Sequence, residues 1–165
     1  MKVGIISDSH DSNANIAKAV NIFNDENVDY VLHAGDIMSP NAARGFAQLL
    51  TAKFIAVFGN CDREKAELKN TISQFGGEIH EQQYIGKIEG RQIYMTHRPD
   101  IVDTITETGD YDMVIYGHTH DPVVKKVDKT LVINPGTSMR KMLSSSYVVI
   151  SDLAGMTAKL VPLKK

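Results

Sequence analysis

The chain has 165 residues and a mass of 18.2 kDa, which fits one domain spanning residues 1–165. Its 18 Lys and Arg against 20 Asp and Glu give a formal charge of -2, so it lacks the positive field that attracts nucleic acid. One cysteine excludes an internal disulfide, and no stretch has the roughly 18 apolar residues of a membrane span or the pattern of a signal peptide. We expect a cytoplasmic protein without membrane contact.

The first half of the sequence alternates short apolar runs with longer segments whose apolar residues recur three and four positions apart. The runs predict strands at residues 3–7, 30–34 and 54–58. They are continuous and rich in β-branched residues, which is typical of strands covered on both faces. The longer segments predict helices over residues 16–23, 40–50 and 68–75. A strand followed by a helix is thus repeated three times.

The second half of the sequence is dominated by strand-like runs. Two of them flank Glu89-Gly90 and predict a hairpin, and a short helix is expected after Pro99. Further strands are predicted at residues 113–117, 123–127, 131–134, 146–151 and 157–163, with a loop at the serines 144–146. Helices on the first half and antiparallel strands in the second predict an α/β fold built as a two-sheet sandwich with flanking helices.

Polar side chains gather just beyond the carboxyl ends of five of the predicted strands. They are Asp8 and His10, Asp36, Asn60, His97, and His118 with His120. In open α/β sheets the carboxyl edge is where ligands bind, so the five strand ends are expected to converge on one site.

The spacing of these residues points to metal binding. Residues i and i+2 of an extended chain face the same side, so Asp8 with His10, and His118 with His120, each present two ligands to one place. Asp36 offers a carboxylate that can bridge two cations. Seven ligand-type side chains exceed what one ion uses, and two ions sharing Asp36 account for them better.

Each cluster also has a simpler interpretation. Asp8-x-His10 alone more often forms a turn and helix cap, and His97 alone is more often a buried, hydrogen-bonded histidine. His33 is expected in the core or behind the ligands, His80 at the surface, and residues 125–126 on a solvated edge. The metal hypothesis therefore depends on all five clusters meeting.

In this order the clusters resemble the calcineurin-like metallophosphoesterase family, whose pattern is D-x-H, G-D, G-N-H-[D/E], a lone H and G-H-x-H. The resemblance spans nearly the whole chain, and with the VINPG run at residues 132–136 it is similar to the small single-domain phosphodiesterases of archaea and bacteria. The resemblance implies the metallophosphoesterase fold. Each motif is weak alone, but the set of five is highly specific.

The resemblance also implies a ligand set and a mechanism. One ion would be held by Asp8, His10, Asp36 and His120, and the other by Asp36, Asn60, His97 and His118. It implies two divalent transition-metal ions per chain, with manganese favoured and nickel, iron or zinc as alternatives. A hydroxide bridging the ions would attack phosphorus in line, and Asp36, Asn60 and His97 would take part in catalysis.

Two positions depart from the family pattern. Cys61 stands where the third motif usually has a histidine thought to stabilise the transition state or protonate the leaving group, and a thiol with an ordinary pKa of about 8.5 replaces it poorly. Cysteine also replaces this histidine in the small phosphodiesterases. The alternative to a direct role in catalysis is that Cys61 is a small residue that fills space in a loop. Arg98 stands where a glycine is common, and it would either donate to a phosphate oxygen or be a solvated arginine.

Three functions remain open from the sequence. The favoured one is a phosphodiesterase acting on a small or accessible diester, since nothing suggests a cap domain. The second is a non-catalytic scaffold such as the metallophosphoesterase-fold subunit of retromer, which lacks a histidine of its first motif that this chain keeps as His10. The third is a phosphomonoesterase, which Cys61 disfavours. The sequence also leaves a homo-oligomer open.

Overall fold

The structure is a computed structural model that describes residues 1–139 and 146–163, so the loop predicted at 144–145 lies outside the described residues. The strands are β1 (Lys2–Ile6), β2 (Tyr30–His33), β3 (Lys53–Val57), β4 (Glu78–His80), β5 (Gln83–Ile88), β6 (Arg91–Thr96), β7 (Met113–Ile115), β8 (Val123–Val127), β9 (Thr130–Asn134), β10 (Tyr147–Asp152) and β11 (Thr157–Pro162). The helices are α1 (Asn13–Asp25), α2 (Pro40–Arg44), α3 (Lys65–Gln74) and α4 (Val102–Glu107), with a 3-10 helix at Gly45–Gln48.

The strands form two sheets. The first has the order β11-β10-β1-β2-β3-β4, and the second has the order β5-β6-β7-β9-β8. Strands β1 to β4 run parallel, and β10 lies antiparallel to β1, so the first strand of the chain is central. The predicted two-sheet α/β sandwich with flanking helices is confirmed.

Alternating apolar side chains give each face of the sheets its own core. On one face of the first sheet, residues such as Val31 and Phe54 pack with Phe23 of α1 and with α3. On the other face, residues such as Ile5 pack against Met113 and its neighbours in the second sheet. Helix α4 covers the outer face of the second sheet. The layers are therefore helices, sheet, sheet and helix.

Several sequence-based predictions need correction. The second half is not all antiparallel, because β6, β7 and β9 run parallel, and β10 and β11 join the first sheet. The helix predicted over residues 40–50 breaks at Gly45 into a 3-10 turn, and Leu50 is 79% exposed. Strand β4 was not predicted, because three residues carry too little pattern. The hairpin is confirmed, with positive φ at both Glu89 and Gly90.

The topology brings the predicted polar clusters to one edge. Strands β1, β2 and β3 end at the same edge of the first sheet, and β6 and β7 are parallel neighbours in the second. Among the described residues, no helix is long and apolar enough to cross a membrane.

Candidate metal centre

The loops that follow these strands have unusual backbone. Five predicted site residues have left-handed φ angles: Asp8 (52°), His10 (40°), Asp36 (59°), His118 (71°) and His120 (65°). The argument that the Asp8/His10 and His118/His120 pairs lie in extended backbone is therefore wrong. Left-handed backbone at a non-glycine residue costs about 1 kcal/mol or more, and it persists where the surroundings hold it. The side chains converge through these turns.

Three side chains that lie close together form what we call the first half-site, and the Asp36 carboxylate borders it. His120 Nε2 lies 3.1 Å from Asp8 Oδ1 and 3.4 Å from His10 Nε2. His10 Nε2 is 3.6 Å from Asp8 Oδ1 and 3.7 Å from Asp36 Oδ2. The first half-site thus consists of Asp8, His10 and His120, with Asp36 at its margin.

The second half-site consists of Asn60, His97 and His118. Asn60 Oδ1 lies 2.9 Å from both His97 Nε2 and His118 Nδ1, and these two nitrogens are 3.2 Å apart. His97 Nε2 is 3.5 Å from Asp36 Oδ2, the same oxygen that faces the first half-site. One carboxylate oxygen of Asp36 therefore faces both half-sites.

The geometry and chemistry of these atoms fit metal ions. Metal–ligand bonds of about 2.0–2.2 Å place neighbouring ligand atoms about 3.0–3.4 Å apart, close to the separations found in both half-sites. His97 Nδ1 lies 2.8 Å from the Ala34 carbonyl oxygen and donates to it. In the neutral ring Nε2 then carries a lone pair aimed at the Asn60 oxygen. Two acceptors this close favour a cation beside them.

Each of the two aspartates has one oxygen held and the other directed into the site. Asp36 Oδ1 accepts from the backbone N–H of Cys61 at 2.8 Å. Asp8 Oδ2 accepts from Ser7 Oγ at 2.6 Å and from the His118 N–H at 3.1 Å. The remaining oxygens face the histidines, so each carboxylate is oriented before any ligand arrives.

The loop of Asp8 is also held by a segment far along the chain. Thr137 Oγ1 and the Met139 N–H both donate to the Asp8 carbonyl, at 3.0 and 3.2 Å. The Ser138 N–H donates to the Ser7 carbonyl at 3.2 Å. The left-handed turn at Asp8 is thus fixed by residues 137–139.

Two positioning residues were missed by the sequence interpretation. Buried Asp62 accepts from the backbone N–H groups of Asp36 (3.1 Å), Met38 (2.7 Å) and Gly59 (2.7 Å), which ties the loops after β2 and β3 together. Burial raises the pKa of the Asp62 carboxyl, against the opposing effect of the backbone N–H donors. The sequence feature that could have identified Asp62 is its place as the last residue of the G-N-C-D run at residues 59–62.

The second such residue, Asn134, fixes the turn that carries His118 and His120. Its fully buried amide donates to the Gly117 carbonyl at 3.3 Å and to Thr119 Oγ1 at 2.9 Å. Its side-chain oxygen accepts from the Gly136 N–H at 2.8 Å. Its place in the VINPG run was the available signal.

Burial and hydrogen bonds shift the pKa values of several groups in and behind the site. Burial opposes ionisation of Asp8, but hydrogen bonds from His10 and Ser7 hold the pKa of its carboxyl below the usual value. The hydrogen bond to Asp8 raises the pKa of His10. Behind the site His33 is fully buried, with Nε2 3.0 Å from Ser9 Oγ, and burial lowers its pKa to about 3. His33 is therefore neutral. It lies behind the predicted ligands, which is one of the two positions expected for it from the sequence.

The two positions that depart from the family pattern lie in different surroundings. Cys61 Sγ lies within 4.8 Å of ligand atoms of His10 and Asp36. A thiol therefore borders a site whose seven predicted ligand residues offer only nitrogen and oxygen atoms. Burial, followed by the nearby Asp36 carboxylate, raises its pKa. Arg98 is exposed, and its guanidinium forms a bidentate pair with Asp100.

The structure thus brings all seven predicted ligand residues together. Asp8, Asp36 and His97 are buried at the base, whereas Asn60 and His118 are exposed at the rim, so the site opens beside the second half-site. Among the other polar residues, His80 lies at the end of β4 with a partly exposed side chain. Residues 125–126 lie exposed on the edge strand β8.

A two-sheet sandwich with a histidine- and aspartate-rich cluster at its loop edge is the architecture of a metallophosphoesterase. The domain model of the calcineurin-like phosphoesterase superfamily matches residues 1–155, and the chain belongs to this superfamily. The phosphodiesterase MJ0936 of Methanocaldococcus jannaschii is 42% identical over 139 residues, which cover 82% of this chain and 83% of the relative.

Solved structures give the same classification. An archaeal phosphodiesterase superposes with a TM-score of 0.91 at 36% identity, covering 98% of this chain and 99% of that chain. Vps29 of Entamoeba histolytica in complex with Zn²⁺ superposes with a TM-score of 0.70 at 18% identity, covering 99% and 100%. At that identity the likeness to Vps29 shows the fold alone.

Proposed function

We propose that the chain is a metal-dependent phosphodiesterase with two divalent ions, one in each half-site. The observation that carries the proposal is Asp36 Oδ2, which lies 3.7 Å from a nitrogen of the first half-site and 3.5 Å from one of the second. The phosphodiesterase names of the relatives at 42% and 36% identity support it. Manganese is the favoured metal, with nickel, iron and zinc as alternatives, because imidazole and carboxylate ligands suit all four.

Ions held by the residues of the two half-sites would supply an activated water nucleophile and positive charge for the phosphate oxygens. The chain's own part is orientation. The Ala34 carbonyl fixes the tautomer of His97, and the Cys61 N–H fixes the carboxylate of Asp36. The exposed rim at Asn60 and His118 leaves the site open, which suits a small or accessible phosphodiester substrate.

The alternative of a non-catalytic scaffold is disfavoured by the complete ligand set, since His10 is present and faces both Asp8 and Asp36. The alternative of a phosphomonoesterase is disfavoured by Cys61, whose neutral thiol adds no positive charge for a dianionic substrate.

The test combines metal content with turnover of an aryl phosphodiester. After loading with manganese, elemental analysis is expected to find close to two ions per chain, and removal of metal by a chelator should abolish turnover. His10→Ala and His118→Ala should each lose nearly all turnover while the circular dichroism spectrum stays that of the folded chain. Wild-type turnover by either variant would contradict the catalytic assignment and favour the scaffold.

Asp36→Asn tests the bridge. The amide keeps one oxygen acceptor but loses the negative charge that attracts two cations, so we expect fewer than two ions per chain and a loss of turnover of about a hundredfold or more. Two retained ions with normal turnover would show that Asp36 does not bridge.

A further inference from the structure

The rim of the second half-site opens into a groove of about 570 Å³. All three residues of that half-site contribute to its lining. An organic group esterified to a phosphate held at the half-site would therefore extend into the groove. Sites of about 300–1,000 Å³ accommodate compact organic ligands, so the volume suits a ring-sized group.

Part of the groove is apolar and aromatic. Phe58 and Pro99, which follow β3 and β6, contribute to its lining together with His97 and His118. Phe58 and His97 are each only 4% exposed, so Pro99 and the exposed ring of His118 provide most of this surface. Such surfaces favour a flat apolar or aromatic group over a hydrated one.

The charges of the groove disfavour an anionic group. Arg98 is the sole Lys or Arg among the described lining residues, and its Nε and Nη2 both donate to Asp100. Glu81 adds a second, exposed carboxylate, 3.6 Å from Lys65 Nζ. Among the described lining residues, a second phosphate would meet two carboxylates and no Lys or Arg that lacks an acidic partner.

We propose that the groove binds one ester group of the substrate, and that this group is an aromatic ring or nucleobase-bearing group without negative charge. The exposed amide of Gln82, also in the lining, would hydrogen-bond the edge of such a ring. The substrate class is then an aryl or nucleoside phosphodiester and not a polynucleotide or an ester with a further phosphate. This inference rests on the proposed phosphodiesterase function of the adjoining site.

The test measures three diesters as competitive inhibitors of the hydrolysis of bis(p-nitrophenyl) phosphate by the metal-loaded chain. They are dimethyl phosphate, methyl phenyl phosphate and methyl 4-sulfophenyl phosphate, which share one phosphate charge and differ in one ester group. Burial of the phenyl ring should lower its inhibition constant about tenfold or more relative to dimethyl phosphate. The sulfonate should cancel most of that gain.

Charge variants locate the effect in the groove. Glu81→Lys should improve binding of the sulfonated inhibitor relative to the phenyl one by about tenfold at low salt. Glu67→Lys makes the same charge change at an exposed position of α3, outside the groove lining. It should leave the ratio of the two inhibition constants unchanged. Equal inhibition by the three diesters, or equal effects of the two variants, would overturn the inference. Absence of any diester hydrolysis would instead overturn the proposed function.

Discussion

At the scale of single residues, Cys61 adds no positive charge at a position where the family pattern has a histidine. Its thiol lies beside Asp36 and His10, and burial raises its pKa, so it is uncharged near neutral pH. A diester carries one negative charge and a monoester carries nearly two, so the monoester needs more compensation in the transition state. A neutral thiol therefore suits a diesterase.

We predict that Cys61→His raises turnover of an aryl phosphomonoester relative to the matching diester. A histidine adds a charge-assisted donor of the kind whose loss typically lowers a rate about a hundred- to a thousandfold. Cys61→Ser should change the ratio little, because the thiol is not the nucleophile. The measurement is a paired kinetic comparison at saturating metal. A monoester preference in the wild type, or loss of diesterase activity in Cys61→Ser, would show that the role of Cys61 is misread.

Asp62 is predicted to act on the metal site through the backbone. Asp62→Asn replaces one acceptor oxygen by an NH₂ group that faces backbone N–H donors, so the loops of Asp36 and Gly59 lose their common anchor. We expect metal affinity to fall about ten- to a hundredfold, as for other residues that orient ligands. Calorimetric metal titration measures it, with exposed Asp110→Asn as the matched control. Unchanged affinity in Asp62→Asn would contradict the anchoring role.

At the scale of elements, the sequence predicted the strands well and their loops poorly. Continuous apolar runs placed β1, β2 and β3 to within a residue or two, and the clusters at their ends identified which side chains meet. Their assignment as ligands stays a prediction. The left-handed turns escaped notice because they are imposed from a distance, by groups such as Asp62 and Asn134, and no local pattern encodes a distant hydrogen bond.

The loops after β2 and β3 lie in close contact at Gly59. A Cβ atom there would clash with Asp36 Oδ1, so Gly59→Ala must displace that carboxylate or its loop. We predict a loss of metal affinity of about tenfold or more. At Gly155 a Cβ would meet its nearest atoms at 3.7 Å, an ordinary contact, and Gly155→Ala is the matched control. Equal metal titrations for the two variants would refute the prediction.

At the scale of the whole molecule, buried His33 links stability to pH. Its folded pKa of about 3 lies below the unfolded value near 6.5, so the unfolded chain binds the proton first as the pH falls. Stability is then complete above about pH 6.5 and declines toward pH 3. Between pH 7 and pH 5 the contribution of this group is a loss of about 2 kcal/mol in the free energy of unfolding.

We therefore predict that His33→Gln flattens the pH dependence of unfolding. His10, whose pKa is raised, acts with the opposite sign, so the comparison of wild type with variant isolates the effect of His33. Urea denaturation with a chelator present, at pH 7 and pH 5, measures it. Identical slopes in the two proteins would show that His33 is not the group responsible.

The central position of β1 has a consequence for when the protein can bind its metal. Strand β1 is flanked by β10, and the turn at Asp8 is held by residues 137–139. Both partners lie far along the chain from β1 and are synthesised long after it, and such long-range contacts form late. A nascent chain that has already exposed every histidine up to His120 thus lacks an ordered first half-site. Metal loading is expected to follow synthesis and folding of residues 137–139 and of β10, and the composition of the metal pool that the folded protein meets then decides which ion it carries.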